Sequence, residues 1–208
     1  MSATLLEKSS AGKGPAWEIA TLFSDQGDIH EGEYLWLTRH TNKLVEFTDG
    51  RVEVLPVPTT QHQLVLAYIY QLLRDFITSR QLGLLVFAAL RVKIRDGKFR
   101  EPDVVIMLKE NLSRAQDEFW LGADLVVEIV SPYNPERDLV EKRIDYAEAG
   151  IPEYWIVDPR FSRVTVLTLK DGVYVSTSEA TENGTVASTL LDGFRVEIAP
   201  VFAAGKIN

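Results

Sequence analysis

The chain has 208 residues, 46% apolar and 25% charged, an ordinary balance for a globular protein. It contains no Cys, which excludes thiolate nucleophiles, Cys-ligated zinc, iron–sulfur clusters and a disulfide framework, and which fits a reducing cytosol. Lys and Arg number 22 against 30 Asp and Glu; the net charge of −8 opposes non-specific nucleic-acid binding, so a nucleic-acid role requires a local basic surface or a metal ion.

No apolar run approaches the roughly 20 residues that span a bilayer. Met1 to Trp17 lacks a basic start followed by an apolar stretch, so no secretory signal is expected and a cytoplasmic location is. With three His in the chain, a His-rich metal site is not expected. Residues 1–25 read as a loose arm and residues 26–208 as one domain, with no repeat, low-complexity tract or linker.

The first paired elements are Lys43–Phe47 and Arg51–Leu55, apolar runs around Thr48-Asp49-Gly50. Asp-Gly between alternating runs predicts a β-hairpin. Thr60 and Gln63 have capping-box spacing, and Leu64/Val65, Tyr68/Ile69, Leu72/Leu73 and Phe76/Ile77 recur every four residues, predicting a helix to Arg80. Leu84–Ile94 reads as a strand and, after Asp96-Gly97, Phe99–Met107 as a second. Leu125–Val130 is a third. Asn134-Pro135 starts a second helix and Gly150 ends it. Tyr154–Val157 is a fourth strand, with Trp155 expected in the core, and short strands follow at Arg163–Leu167, Val173–Ser178 and Phe194–Ile198. The order from Gln61 to Asp158 is α-β-β-β-α-β, an α/β fold with a mixed sheet, an N-terminal hairpin and extra C-terminal strands. The last core strand is expected parallel to the third, as a helical crossover requires.

Glu128 is the most informative residue. It sits in "LVVEIV", whose continuous apolar character marks a central strand covered on both faces. A lone carboxylate there is costly, so a cation, a hydrogen-bond donor or a metal must compensate it; a structural salt bridge is the plainer reading. Asp103, in "REPDVVIM", stands at the mouth of a strand, where Pro-Asp is also a common turn device. Brought together in space, Asp103 and Glu128 would make a hard-oxygen site suited to Mg²⁺ or Mn²⁺.

Lys142 lies on the second helix with Asp138 four residues before it, a spacing that equally fits a solvated surface pair. On a helical wheel Val140, Ile144 and Ala147 form an apolar stripe. Leu139, Lys142 and Tyr146 form a mixed face beside Asp138 that is able to look into a cleft and bring Lys142 towards Glu128. His62, in the first turn of the first helix, and Glu46, before the hairpin turn, are accessory candidates with equally available structural readings. Arg91–Glu101 carries five Lys/Arg against two acidic residues, a patch for phosphates or an ordinary hairpin surface. P-loop, G-x-S-x-G, H-E-x-x-H and dinucleotide glycine motifs are absent.

The segments "REPDVVIM" and "ADLVVEIVSPYNPERDLVEKRIDYAEAGIPEYWIVDP", with "LVEFTDGRVEVLP" and His62 after it, resemble a bacterial family of restriction-endonuclease-like proteins classed as a domain of unknown function. That family belongs to the PD-(D/E)xK nuclease superfamily. The resemblance runs from about Gln26 to Phe202. It implies a restriction-endonuclease-like core and Mg²⁺-dependent hydrolysis of DNA phosphodiester bonds, with Asp103 and Glu128 as metal ligands and catalytic residues. The superfamily lysine normally stands two residues after the second acid; here that position is Val130. The resemblance implies a migrated lysine, Lys142. The alternative is a non-catalytic binding module on the same fold, with Glu128–Lys142 as a buried ion pair. Double-strand cutting makes a homodimer the expected assembly.

Overall fold

The computed structural model describes residues 25–206; the expected arm lies outside the described residues but for Asp25. In chain order the elements are α1 (Glu31–His40), β1 (Val45–Thr48), β2 (Arg51–Val54), α2 (Thr60–Arg80), β3 (Gly83–Phe87), β4 (Val92–Arg95), β5 (Lys98–Arg100), β6 (Val104–Leu108), β7 (Trp120–Leu121) and β8 (Leu125–Ile129). A π-helical segment (Arg137–Glu141) then leads into α3 (Lys142–Glu148), followed by β9 (Glu153–Asp158), β10 (Arg163–Lys170), β11 (Val173–Thr181), β12 (Thr185–Ala187), β13 (Arg195–Glu197) and α4 (Ile198–Ala204). The chain forms two compact units, Met1–Pro56 with Asp96–Phe99, and Val57–Arg95 with Arg100–Asn208.

The first unit is built on the expected hairpin. β1 and β2 pair antiparallel, Val45 opposite Val54 and Thr48 opposite Arg51. Asp49 and Gly50 both take positive φ (46° and 80°), the turn geometry that Asp-Gly supplies. Phe99 pairs with Phe47, and Tyr34 of α1 stacks on Phe47 (4.9 Å between centroids) while its hydroxyl donates to the Val45 carbonyl (2.9 Å). Glu46 is buried on β1, paired across the hairpin with Glu53.

The second unit carries a six-stranded mixed sheet, β11-β10-β9-β8-β6-β3. β3, β6 and β8 run antiparallel in turn, and β8 and β9 are parallel, joined through α3 as the crossover demands. The central strands β6, β8 and β9 are buried almost throughout, which is why they read as continuous apolar runs. Each sheet face has its own core. Val104, Ile106, Leu125, Val127, Ile129 and Trp155 pack on one side against Val65, Ile69, Leu73 and Ile77 of α2. Val105, Met107, Val126, Val130, Tyr154 and Ile156 pack on the other with Tyr146 of α3.

Several boundaries differ from expectation. α2 is capped by Thr59, whose side chain accepts from the His62 amide (3.2 Å), one residue before the predicted cap. Leu84–Ile94 is two strands, not one: β3 joins the six-stranded sheet, whereas β4 pairs in parallel with β7. Phe99–Met107 likewise divides into β5 and β6 at Glu101-Pro102-Asp103, where Pro102 has no N–H to give to a ladder. Phe194–Ile198 shortens to β13 because Ile198 opens α4. α1, β7, β12 and α4 were not read from the sequence.

Candidate active site

The site lies at one end of the six-stranded sheet, where β6 begins and β8 ends. Val104 pairs with Val127, so Asp103, one residue earlier, falls opposite Glu128. The register therefore joins two carboxylates 25 positions apart in sequence. Asp103 Oδ2 accepts from the Ile129 amide (2.7 Å) and meets Nε2 of His62 (3.2 Å), which the first turn of α2 delivers. The Thr59 cap on the His62 amide fixes that turn.

Glu128 shares its sheet face with Val126 and Val130, the face that α3 covers. A side chain from α3 is therefore able to reach Glu128. Lys142 does so: Nζ lies 2.8 Å from Glu128 Oε1 and 3.2 Å from Asp138 Oδ1, with all three residues at most 4% exposed. The Tyr146 hydroxyl also donates to Glu128 Oε1. Asp138 is held in turn by the Ser131 amide on Oδ2 (3.1 Å), and its carbonyl accepts from Tyr154 (2.7 Å).

The helix geometry that makes this possible is unusual. The Lys142 amide bonds the Arg137 carbonyl, five residues back, so the segment before Lys142 is π-helical. Asp138, Lys142, Asp145 and Tyr146 are buried, while Val140 and Ile144 of the predicted apolar stripe are 52% and 64% exposed. The mixed face, not the apolar one, looks inward, because each of its polar groups finds a partner there.

Burial pushes the Glu128 carboxyl up to about 8, and the negative charges of Asp103 and Asp138 add to that against the opposing pull of Lys142. For His62, burial lowers the pKa, but the hydrogen bond and charge of Asp103, with the charge of Asp138, outweigh it and raise it overall. Its Nδ1 is buried without a hydrogen-bond partner. Burial also holds the Tyr154 hydroxyl well above its ordinary value, so it acts as a donor.

Of the sequence-stated candidates, Asp103, Glu128, Lys142 and His62 converge here, and Glu46 belongs to the first unit. Tyr146 and Asp138 also contact the cluster; Asp138 was read as a four-residue pair to Lys142, and Tyr146 only as a feature of the same helix face, with its four-residue spacing from Lys142 the available signal. The basic stretch Arg91–Glu101 is partly spent within the protein. Arg95 pairs with Glu148 (2.9 Å) and Arg100 with the buried Asp145 (2.7 Å), tying β4 and Arg100 to α3. Asp103 and Glu128 are the residues able to hold a hard divalent ion. Their contacts run through one oxygen each, Oδ2 and Oε1. Among the described residues no group of three His, Asp or Glu side chains forms a cage.

An α-β-β-β-α-β core with paired acids at the sheet end defines a restriction-endonuclease-like fold. Residues 32–199 match the Uma2 family, described as "Putative restriction endonuclease", and the chain belongs to it. Its fold is similar to a crystal structure from Anabaena variabilis described as a "putative nuclease belonging to DUF820", with a TM-score of 0.68 and 15% identity over 83% of this chain and 98% of that one. No curated protein matches the chain.

Proposed function

We propose that this chain hydrolyses DNA phosphodiester bonds with Mg²⁺ or Mn²⁺ held by Asp103 and Glu128. The observation that carries the reading is the delivery of the Lys142 ammonium to Glu128 from α3, on the sheet face where Val130 leaves no lysine. The donor set fits the ion: Mg²⁺ keeps several waters and needs only one or two carboxylates. When bound, the ion supplies Lewis-acid polarisation of the phosphate and lowers the pKa of its water.

The protein's own groups do the rest. Lys142 pairs with Glu128 and Asp138 and supplies a point cation beside the position where charge would develop on the phosphate. Tyr146 fixes the rotamer of Glu128, and Asp138 fixes Lys142. His62 and the Ile129 amide orient Asp103. The burial of Glu128 and Lys142 excludes water from their contact and strengthens it. A homodimer, one site per strand, is part of the proposal.

A second reading is favoured by the same contact: with both side chains buried at 2.8 Å, Glu128–Lys142 also serves as a structural ion pair in a binding module. Calorimetric titration of Mn²⁺ into wild type and Asp103→Ala separates the two. Saturable binding lost in the variant, with Mg²⁺-dependent nicking of supercoiled plasmid lost in Lys142→Met, supports the nuclease. A protein that binds no metal in the presence of DNA and nicks nothing leaves the binding module standing.

A further inference from the structure

The proposed site is acidic on a chain already at −8, so a phosphodiester strand reaching Asp103, Glu128 and Asp138 needs local cations at the rim. The β9–β10 turn offers them. β8 and β9 are parallel, Ile129 opposite Val157, so the turn that follows Asp158 leaves the same end of the sheet as Glu128. Asp158 is buried and anchors the turn: its carboxylate accepts from Arg160 Nε (2.9 Å), Nη2 (2.7 Å) and the Arg160 amide (3.1 Å), with Arg163 Nη2 at 3.9 Å. Two guanidiniums to one carboxylate leave a net positive charge.

Between them Phe161 is 63% exposed, with the Arg160 and Arg163 guanidiniums 5.2 and 5.7 Å from its ring centroid. An aromatic ring flanked by guanidiniums is the chemistry that holds single-stranded nucleic acid, ring against base and cation against phosphate.

We infer that the β9–β10 turn is the strand-holding rim of this site: Phe161 stacks on an unpaired base, and Arg163 and Arg160 meet the flanking phosphates. The inference rests on the nuclease reading and adds the element that grips substrate and the form gripped, a strand with an accessible base.

The test is fluorescence anisotropy of a labelled single-stranded DNA oligonucleotide with Ca²⁺ in place of Mg²⁺, alongside plasmid nicking with Mg²⁺. Phe161→Ala is expected to weaken binding about 5- to 100-fold. Phe161→Trp is expected to bind as wild type, and Phe161→Leu to behave as Ala, which separates stacking from bulk. Arg163→Ala is expected to make the salt dependence of binding shallower by about 0.7 in log–log slope. Arg74→Ala, an exposed cation on α2, controls for net charge and is expected to match wild type. Wild-type binding unchanged in Phe161→Ala and Arg163→Ala overturns the rim while the nuclease reading stands on nicking. A wild type that neither binds nor nicks overturns both.

Discussion

Glu128→Gln separates charge from shape at the centre of the site. The carboxyl is 2% exposed and is pushed from 4.5 to about 8, chiefly by burial. A carboxyl raised on folding binds more protons in the folded state. The stability it contributes is therefore full below pH 4.5 and is lost as pH rises to about 8. At about 1.4 kcal/mol per pH unit, that interval corresponds to on the order of 5 kcal/mol. Glutamine mimics the protonated acid and cannot titrate. In metal-free buffer, urea denaturation followed by tryptophan fluorescence from pH 5 to pH 9 is expected to show a decline in wild type that Glu128→Gln lacks. The variant retains a smaller decline from His62, whose raised pKa also contributes stability present at low pH and lost as pH rises through it. Mn²⁺ added at pH 8 is expected to restore wild type and not the variant, because the ion takes the place of the proton. Parallel curves for the two proteins would refute the reasoning. They would mean that Glu128 stays ionised against Lys142 throughout, and the variant would then be destabilised at every pH by the loss of that pair, with Asp138 left as the partner of the ammonium.

Lys142→Met is expected to reduce plasmid nicking at least about 100-fold, the typical loss on deleting one charge-stabilising donor, measured at saturating Mg²⁺. Glu153→Ala tests a carboxylate unrelated to chemistry. Glu153 is fully buried and accepts from Trp155 Nε1, Ser188 Oγ, the Thr189 amide and hydroxyl, and the Leu190 amide. Its loss leaves those donors without their acceptor and is expected to cost on the order of 4 kcal/mol in urea denaturation, with Mn²⁺ affinity unchanged in the folded fraction. Arg100→Met removes the buried 2.7 Å pair with Asp145 and is expected to cost about 3 kcal/mol, read as a lowered urea midpoint. Sedimentation equilibrium checks the proposed homodimer; a single species of monomer mass at assay concentration removes it.

The core order was legible because its signals are local. Asp-Gly marks a hairpin through its own backbone preference, and α2 shows its stripe because one long helix lies on one apolar face. β8 shows itself as a run without alternation because both its faces are covered. Glu128 stands out for the same reason, as the single charge in that run. The divided strands were not legible, because no Gly or Pro separates β3 from β4 and only their pairing partners distinguish them.

By itself the sequence determined the candidate chemistry: a carboxylate that burial would force to find a partner, a second acid at a strand mouth, and a lysine four residues after an aspartate. Only the tertiary structure decided which of these meet. Strand register set Asp103 opposite Glu128 across a long sequence separation. Packing against the sheet turned Asp138, Lys142 and Tyr146 inward and left Val140 and Ile144 in solvent, against the apparent amphipathicity of the segment. Hydrophobic periodicity could not foresee that, because it scores apolar burial and carries no term for a buried polar network whose members satisfy one another.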